Sequence, residues 1–455
     1  MVPRVTDLGE AMFASPELSR LFSAPAHLQR MLDVEAALAR AEARAGLIPA
    51  EAAEAIGGRC RLDLFDVEAV YRDAVLAASP AVPLARMLTA LVGGEAGRFV
   101  HWGATSQDVI DTAAVLQMRD GLRVMTARMF DVAAVCAALA ERHRRTPMVG
   151  RTLLQQAVPI TFGLKAARWL GLVTRSVERL AGVRARALVV QFGGAAGTLA
   201  SLGRDGVRVM ELLAAELDLA APELPWHAER DRIAELAAAL GIVAGAMAKI
   251  ATDVALLAQT EVGEIAPASG EAGRSSAMPH KRNPVDATAA LAAARIAIGA
   301  VPVLFHAMAQ EHERAVGAWQ AEWRAVPELF RFTGGAVEGV SRALRTLAAD
   351  PDRMAANLAL TGGLIMAESL TMALAPHVGR DAAYRLVQAA CDRAAGTGAD
   401  LRTVAAGDQR IRAALTPDAM ARAFDASEYV GSAEAFIDRA LAHFQAVQAS
   451  EVGGA

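Results

Sequence analysis

Between Glu271 and Asp286 runs an acid-free stretch, Gly273-Arg274-Ser275-Ser276-Ala277-Met278-Pro279-His280-Lys281-Arg282-Asn283-Pro284. Within ten residues, 274–283, it places two hydroxyls, a His, a Lys, two Arg and an Asn. Proline lacks the N–H that a helix interior needs, so Pro279 and Pro284 forbid a regular helix here and predict a loop. A loop so dense in cations and donors suits a substrate that carries several carboxylates.

A second candidate stretch is His101-Trp102-Gly103-Ala104-Thr105-Ser106-Gln107-Asp108, just ahead of a long apolar-periodic segment. Thr105 and Ser106 there can donate to an anion near a helix N-terminus, where free backbone N–H groups and the dipole favour negative charge. They serve equally as a helix cap. Other residues read as structural. His143, in Glu141-Arg142-His143-Arg144-Arg145, is expected at a solvated helix end. His27, His306, His377 and His443 have no chemical companions in sequence and read as surface or packing positions, and His312-Glu313 completes no metal motif.

The spacing Ser-Ser-x-Met-Pro-x-Lys-x-Asn over 275–283 resembles the signature loop of the fumarase/aspartase superfamily. His101–Asp108 is similar to that superfamily's first conserved region and Gly150–Pro159 to its second, and the resemblance covers nearly the whole chain. It implies that Ser275 moves the proton alpha to a carboxylate. A neutral serine is a feeble base, so its oxyanion needs backbone N–H groups and a cation, with Lys281 as the candidate. Lys281 and Asn283 are then expected to hold the carboxylate that takes up charge in an aci-carboxylate intermediate. Thr105 and Ser106 would bind a second carboxylate, and Gln156 would orient the substrate as a neutral donor. Arg151 and Arg314 are carboxylate partners or structural ion pairs. His101 shuttles a proton or only hydrogen-bonds. Thr152, Ser276 and Met278 complete the expected lining; His280 falls at a variable position, and Gly270 and Gly273 are candidate loop hinges. Arg274 stands where many relatives carry Gly.

The second region departs from the commoner pattern. Adenylosuccinate lyases and fumarases carry His in this segment, and the matching positions here are Leu153 and Gln156. Neither is a general acid near neutral pH. Hydroxide and amines leave only with protonation, whereas carboxylate and nitrite leave as anions. Intramolecular lactonisation of a muconate fits this absence. His101–Asp111, Arg151–Lys165, Trp226–Ile233, Glu311–Trp323 and Glu428–Gly431 are also similar to the superfamily's muconate-lactonising branch. Loss of nitrite from nitrosuccinate is the nearest rival. Cleavage of adenylosuccinate or argininosuccinate is disfavoured, and the intact Ser275, Lys281 and Asn283 set argues against a non-catalytic scaffold.

The elements that must carry these residues are helical. Val115, Met118, Leu122, Met125, Met129, Val132, Cys136 and Leu139 alternate spacings of three and four, as do Ile233, Leu236, Leu240, Val243, Met247, Ile250, Val254 and Leu257. Each predicts a helix of about twenty-five residues, roughly 37 Å long. Gly241, Ala244, Gly245 and Ala248 let a neighbour approach the second closely, so more than one of its faces is expected to be buried. Further helices are expected from about Pro159 to Leu188 and from about Pro284 to Met308, the latter kinked or restarted at Pro302. No strand series is expected. The reading is an all-α chain in three domains: 1–111, a central long-helix bundle 112–349 with the loop at 270–284, and 350–455.

Bulk composition agrees. In 455 residues the hydrophobic share is 54%, much of it Ala, and aromatics are 5%, which favours close-packed helices. The net charge of −4 argues against nucleic acid as a partner. Cys60, Cys136 and Cys391 are too few and too scattered for a disulfide framework or a zinc motif. No basic, apolar leader and no run of eighteen uninterrupted apolar residues is present, so a soluble, cytoplasmic protein without a membrane partner is expected. The resemblance implies a homotetramer with a twenty-helix core, each active site shared by three subunits. It implies no metal and no organic cofactor, and a small polycarboxylate as substrate.

Overall fold

Both apolar-periodic segments form helices in the computed structural model, which describes residues 7–266 and 273–453. They are Ser106–Arg142, 37 residues long, and Asp231–Leu257, 27 residues long, and every periodic position named above is buried. Phe162–Ala187 and Val285–His306 form where helices were expected, and Val285–His306 continues through Pro302. A further long helix, Ala318–Arg345, contains Pro327.

The chain divides into two compact units. The first comprises Met1–Arg128, Ser176–Ala248 and Ala289–Gly339. Its core gathers around the Ala24–Ala45 helix, where Leu28, Met31, Leu32 and Leu38 pack with Ile110, Phe192, Leu213 and Trp319. Phe22 stacks on Phe330 with ring centroids 4.6 Å apart. Gly121 lies beneath that pair, and a Cβ there would meet Phe22 at 2.9 Å and Phe330 at 3.0 Å.

The second unit comprises Met129–Arg175, Lys249–Thr288 and Val340–Ala455. Leu370, Leu374, Val387, Leu401 and Ile411 form a core among its C-terminal helices. It also holds two short antiparallel strand pairs. In the first, β1 (Pro147–Thr152) runs against β2 (Gln155–Thr161), with Arg151 opposite Gln156 and Thr152 opposite Gln155. In the second, β3 (Ile265–Ala266) pairs with β4 (Ala348–Ala349). The chain is mostly helical as expected, but its second conserved region is a hairpin. Val149 of β1 anchors that hairpin on Ile365 and Met366.

Candidate active site

Thr105 ends the approach to the Ser106–Arg142 helix, and the side chain that caps this end belongs to Asp108. Its Oδ2 accepts from the Thr105 N–H at 3.0 Å, and the Asp108 N–H donates to the Thr105 carbonyl at 3.0 Å. The Thr105 hydroxyl is therefore released from capping. It accepts instead from Arg314 Nη1 at 3.1 Å, while Arg314 Nη2 donates to the Ala195 carbonyl at 2.9 Å. Arg314 has no carboxylate partner among the described residues, so its charge is uncompensated beside the Thr105 hydroxyl and a helix N-terminus. That is an anion cradle.

Asp108 holds the cradle's floor. It is buried and accepts from Gly193 N–H, Gly194 N–H and Gln191 Nε2 at 2.9, 2.9 and 3.1 Å, and its Oδ1 lies 2.8 Å from His227 Nε2. One turn on, Asp111 takes Arg230 Nη1 at 2.8 Å and Trp319 Nε1 at 2.9 Å, and Glu322 takes Arg230 Nε at 3.0 Å. A buried arginine between two carboxylates is a structural clamp, and losing one partner costs roughly 3–5 kcal/mol. These groups lock the backbone that presents Thr105 and Ser106.

His101 precedes the cradle residues in the chain. Its Nδ1 lies 2.6 Å from Oε1 of Glu35, a residue of the Ala24–Ala45 helix that is only 3% exposed. Burial lowers the imidazole's proton affinity, but Glu35, and Asp108 after it, outweigh burial and leave the pKa raised.

In the second unit the hairpin carries Arg151, Thr152 and Gln156. Arg151 donates from Nη1 and Nη2 to the two oxygens of Glu264, at 2.9 and 2.7 Å. Glu264 is wholly buried and also accepts from Asn357 Nδ2 at 2.9 Å. Of the two readings open for Arg151, this geometry matches the structural ion pair. Gln156 Nε2 donates to the Asn357 carbonyl at 3.2 Å, and its buried Oε1 has no hydrogen-bond partner among the described residues. The free, oriented atom of Gln156 is thus an acceptor. Thr152 is exposed at the hairpin's end, beside Leu153 and Leu154. Half-buried Lys165 follows on the next helix; burial lowers its pKa, and nearby Lys249, Arg151 and Arg168 lower it further, against Asp253.

The signature loop is a small closed hairpin from Gly273 to Asn283. Asn283 N–H donates to the Gly273 carbonyl at 2.9 Å, and Arg274 bridges Arg282. Gly273 has φ +79°, and a Cβ there would lie 2.4 Å from the Asn283 carbonyl oxygen, so the closure admits only glycine. Ser275 Oγ accepts from the N–H groups of Ala277 and Met278 at 3.3 and 3.1 Å. Ser276, Met278, His280 and Lys281 are exposed and Asn283 is half-buried. Among the described residues, Ser275, Lys281 and Asn283 make no side-chain hydrogen bond to the hairpin group. Gly270, the other candidate hinge, lies outside the described residues, as does Glu271.

The structure thus joins Thr105 with Arg314 and pairs His101 with Glu35. It also adds residues that sequence reasoning passed over: Glu35, His227, Glu264, Asn357 and Lys165. Glu35 had a signal, because Leu28, Glu35 and Glu42 stand seven apart on one helical stripe. Two earlier readings need correction. His143 is half-buried, packing edge-on against Phe162 with centroids 5.1 Å apart, and His27 has a companion in Gln117, whose Oε1 lies 2.7 Å from its Nδ1.

Long helices carrying a cationic serine loop and a separate helix-end anion cradle define a lyase of the fumarase/aspartase type. The chain belongs to that superfamily: it matches the Lyase family over residues 9–299 and the adenylosuccinate lyase C-terminus over residues 363–440. It is 47% identical to the 3-carboxy-cis,cis-muconate cycloisomerase of Pseudomonas aeruginosa over 97% of both chains. It is 43% identical to the nitrosuccinate lyase of Streptomyces davaonensis, over 91% of this chain and 90% of the relative. Its fold superposes on the 3-carboxy-cis,cis-muconate lactonizing enzyme of Pseudomonas putida with a TM-score of 0.92 and 42% identity, covering 97% of this chain and 99% of that one.

Proposed function

We propose that this chain is a cycloisomerase that closes 3-carboxy-cis,cis-muconate to a carboxymuconolactone. The observation that carries the reading is the pair of N–H groups converging on Ser275 Oγ. One substrate carboxylate attacks the conjugated C=C and forms the ring C–O bond. The displaced electron pair moves into the far carboxylate as an aci-carboxylate, and the carbon alpha to it takes a proton. Ser275 supplies that proton from its hydroxyl. The alkoxide left behind meets the Ala277 and Met278 N–H groups, with Lys281 as counter-charge. Lys281 and Asn283 hold the aci-carboxylate, and Thr105, Ser106 and Arg314 hold a second carboxylate. Ser276, Met278, Thr152 and Gln156 line the remainder, while Arg151 braces the hairpin through Glu264. The attacking carboxylate is already ionised, so a hairpin with Leu153 and Gln156 in place of His suffices.

The unit that works is a homotetramer in which three copies supply the cradle, the hairpin and the loop of each site. Support comes from Asp231–Leu257 and Val285–His306, both long and apolar enough by length and composition to cross a membrane. Only a third of the most apolar stretch of Val285–His306 is buried in one protomer. Helices apolar on all sides belong inside a bundle, and other copies would supply it. Within that assembly we retain three domains per subunit, 1–111, 112–349 and 350–455.

The test is to mix purified protein with 3-carboxy-cis,cis-muconate and follow the diene absorbance in the ultraviolet. Rapid enzyme-dependent loss with a lactone product is expected. An unchanged diene, alongside nitrite release from nitrosuccinate, would transfer the same site to that elimination.

A further inference from the structure

Glu35 is a carboxylate in an apolar place. It sits mid-helix near Leu32, Val34 and Leu38, and among the described residues its buried Oε2 has no partner and His101 is its only side-chain donor. His101 has φ +59°, a left-handed conformation that costs a non-glycine residue about 1 kcal/mol or more and persists where surrounding structure holds it. With Nδ1 committed to Glu35, Nε2 is the one ring nitrogen left for a substrate. We propose that Glu35 is a positioning residue: it fixes the tautomer and charge of His101 so that Nε2–H acts as a cationic donor to a substrate carboxylate. This rests on the proposed cycloisomerase reading, whose substrate has one more carboxylate than the loop and the Thr105–Arg314 cradle together account for.

The charged groups that bear on the ring are Glu35 from the Ala24–Ala45 helix and Asp108 from the Ser106–Arg142 helix; Arg314 stands beyond Thr105. Asp108 is already saturated by five donors, so Glu35 is the group that can be changed without dismantling the cradle. Glu35→Gln keeps the shape and an oxygen to receive Nδ1–H while removing the charge. The raised pKa of His101 should then fall, because the charge that raises it is gone. In the pH range between the two midpoints KM should rise by up to about tenfold, with kcat nearly unchanged.

Histidine C2-hydrogen exchange read by mass spectrometry measures that midpoint without substrate. Trypsin releases residues 99–119, which hold a single His. The inference stands if Glu35→Gln lowers the His101 midpoint and moves the rise in KM to lower pH. It is overturned if the variant exchanges and binds like the wild type, or if KM rises equally at every pH, as for a merely structural residue. The wild-type exchange midpoint stays interpretable even if 3-carboxy-cis,cis-muconate is not turned over, so failure of the activity and failure of the inference are distinct results.

Discussion

Glu42 is the sharpest case at the scale of a single residue. It is fully buried, neither carboxyl oxygen has a partner among the described residues, and burial first, then the charge of Glu35, push its pKa up to about 9. The folded chain therefore holds it neutral at pH 7. A carboxyl whose folded pKa lies above its unfolded value of 4.5 contributes its full stability below about pH 4.5 and loses it as pH rises towards 9. Wild-type protein should thus melt at lower temperature at pH 9 than at pH 6, by an amount on the order of a few kcal/mol in stability. Glu42→Gln should flatten that slope, and melting curves of the two proteins across this range decide it; parallel slopes would reject the assignment. The acid was visible in the sequence as an interruption of an apolar stripe. Its missing partners were not, because partnership depends on helices far away in the chain.

The hairpin element carries its own tension. Leu153 and Leu154 have φ +50° and +62° and join β1 to β2, the positions where a two-residue turn prefers Asn-Gly. Both side chains stand out from the protomer, 96% and 76% exposed. Strain plus exposed apolar surface is a poor arrangement for an isolated hairpin and a sensible one where an apolar tip is needed. The double substitution Leu153→Asn, Leu154→Gly should raise stability by about 1–3 kcal/mol and lower kcat/KM. An unchanged kcat/KM with a higher Tm would show that the tip serves no reaction. This turn also explains why the strands escaped notice, since Leu-Leu gives no turn signal and Gly150–Pro159 alternates weakly. The long helices were legible because their apolar spacing repeats over many turns. Ala318–Arg345 is one helix although Pro327 breaks its pattern in the sequence. The signature loop was legible for the same local reason as the helices: its prolines and glycines act on their own neighbours.

At the scale of the whole molecule the question is what covers the apolar helices. Ile298, Val303 and Phe305 of Val285–His306 are between two-fifths and half exposed, as is Ile242 of Asp231–Leu257. Exposed apolar residues recurring along the same helices mark an interface more than a solvent face. No single segment contains the cradle, the hairpin and the loop, and the proposal that they act on one substrate rests on resemblance, since spacing along the chain says nothing about where another copy lies. If the site is shared, assembly and activity must fail together. Wild-type protein should sediment with a mass near four times 47.5 kDa. Ile298→Asp with Val303→Asp should place two charges where apolar surface is buried, and dissociate it at micromolar concentration. The dissociated protein should lose activity by about a hundredfold or more, because each catalytic group then faces water without its counterparts. Helical circular dichroism separates this from unfolding. A folded, monomeric variant that keeps wild-type turnover would show that one chain suffices for the reaction.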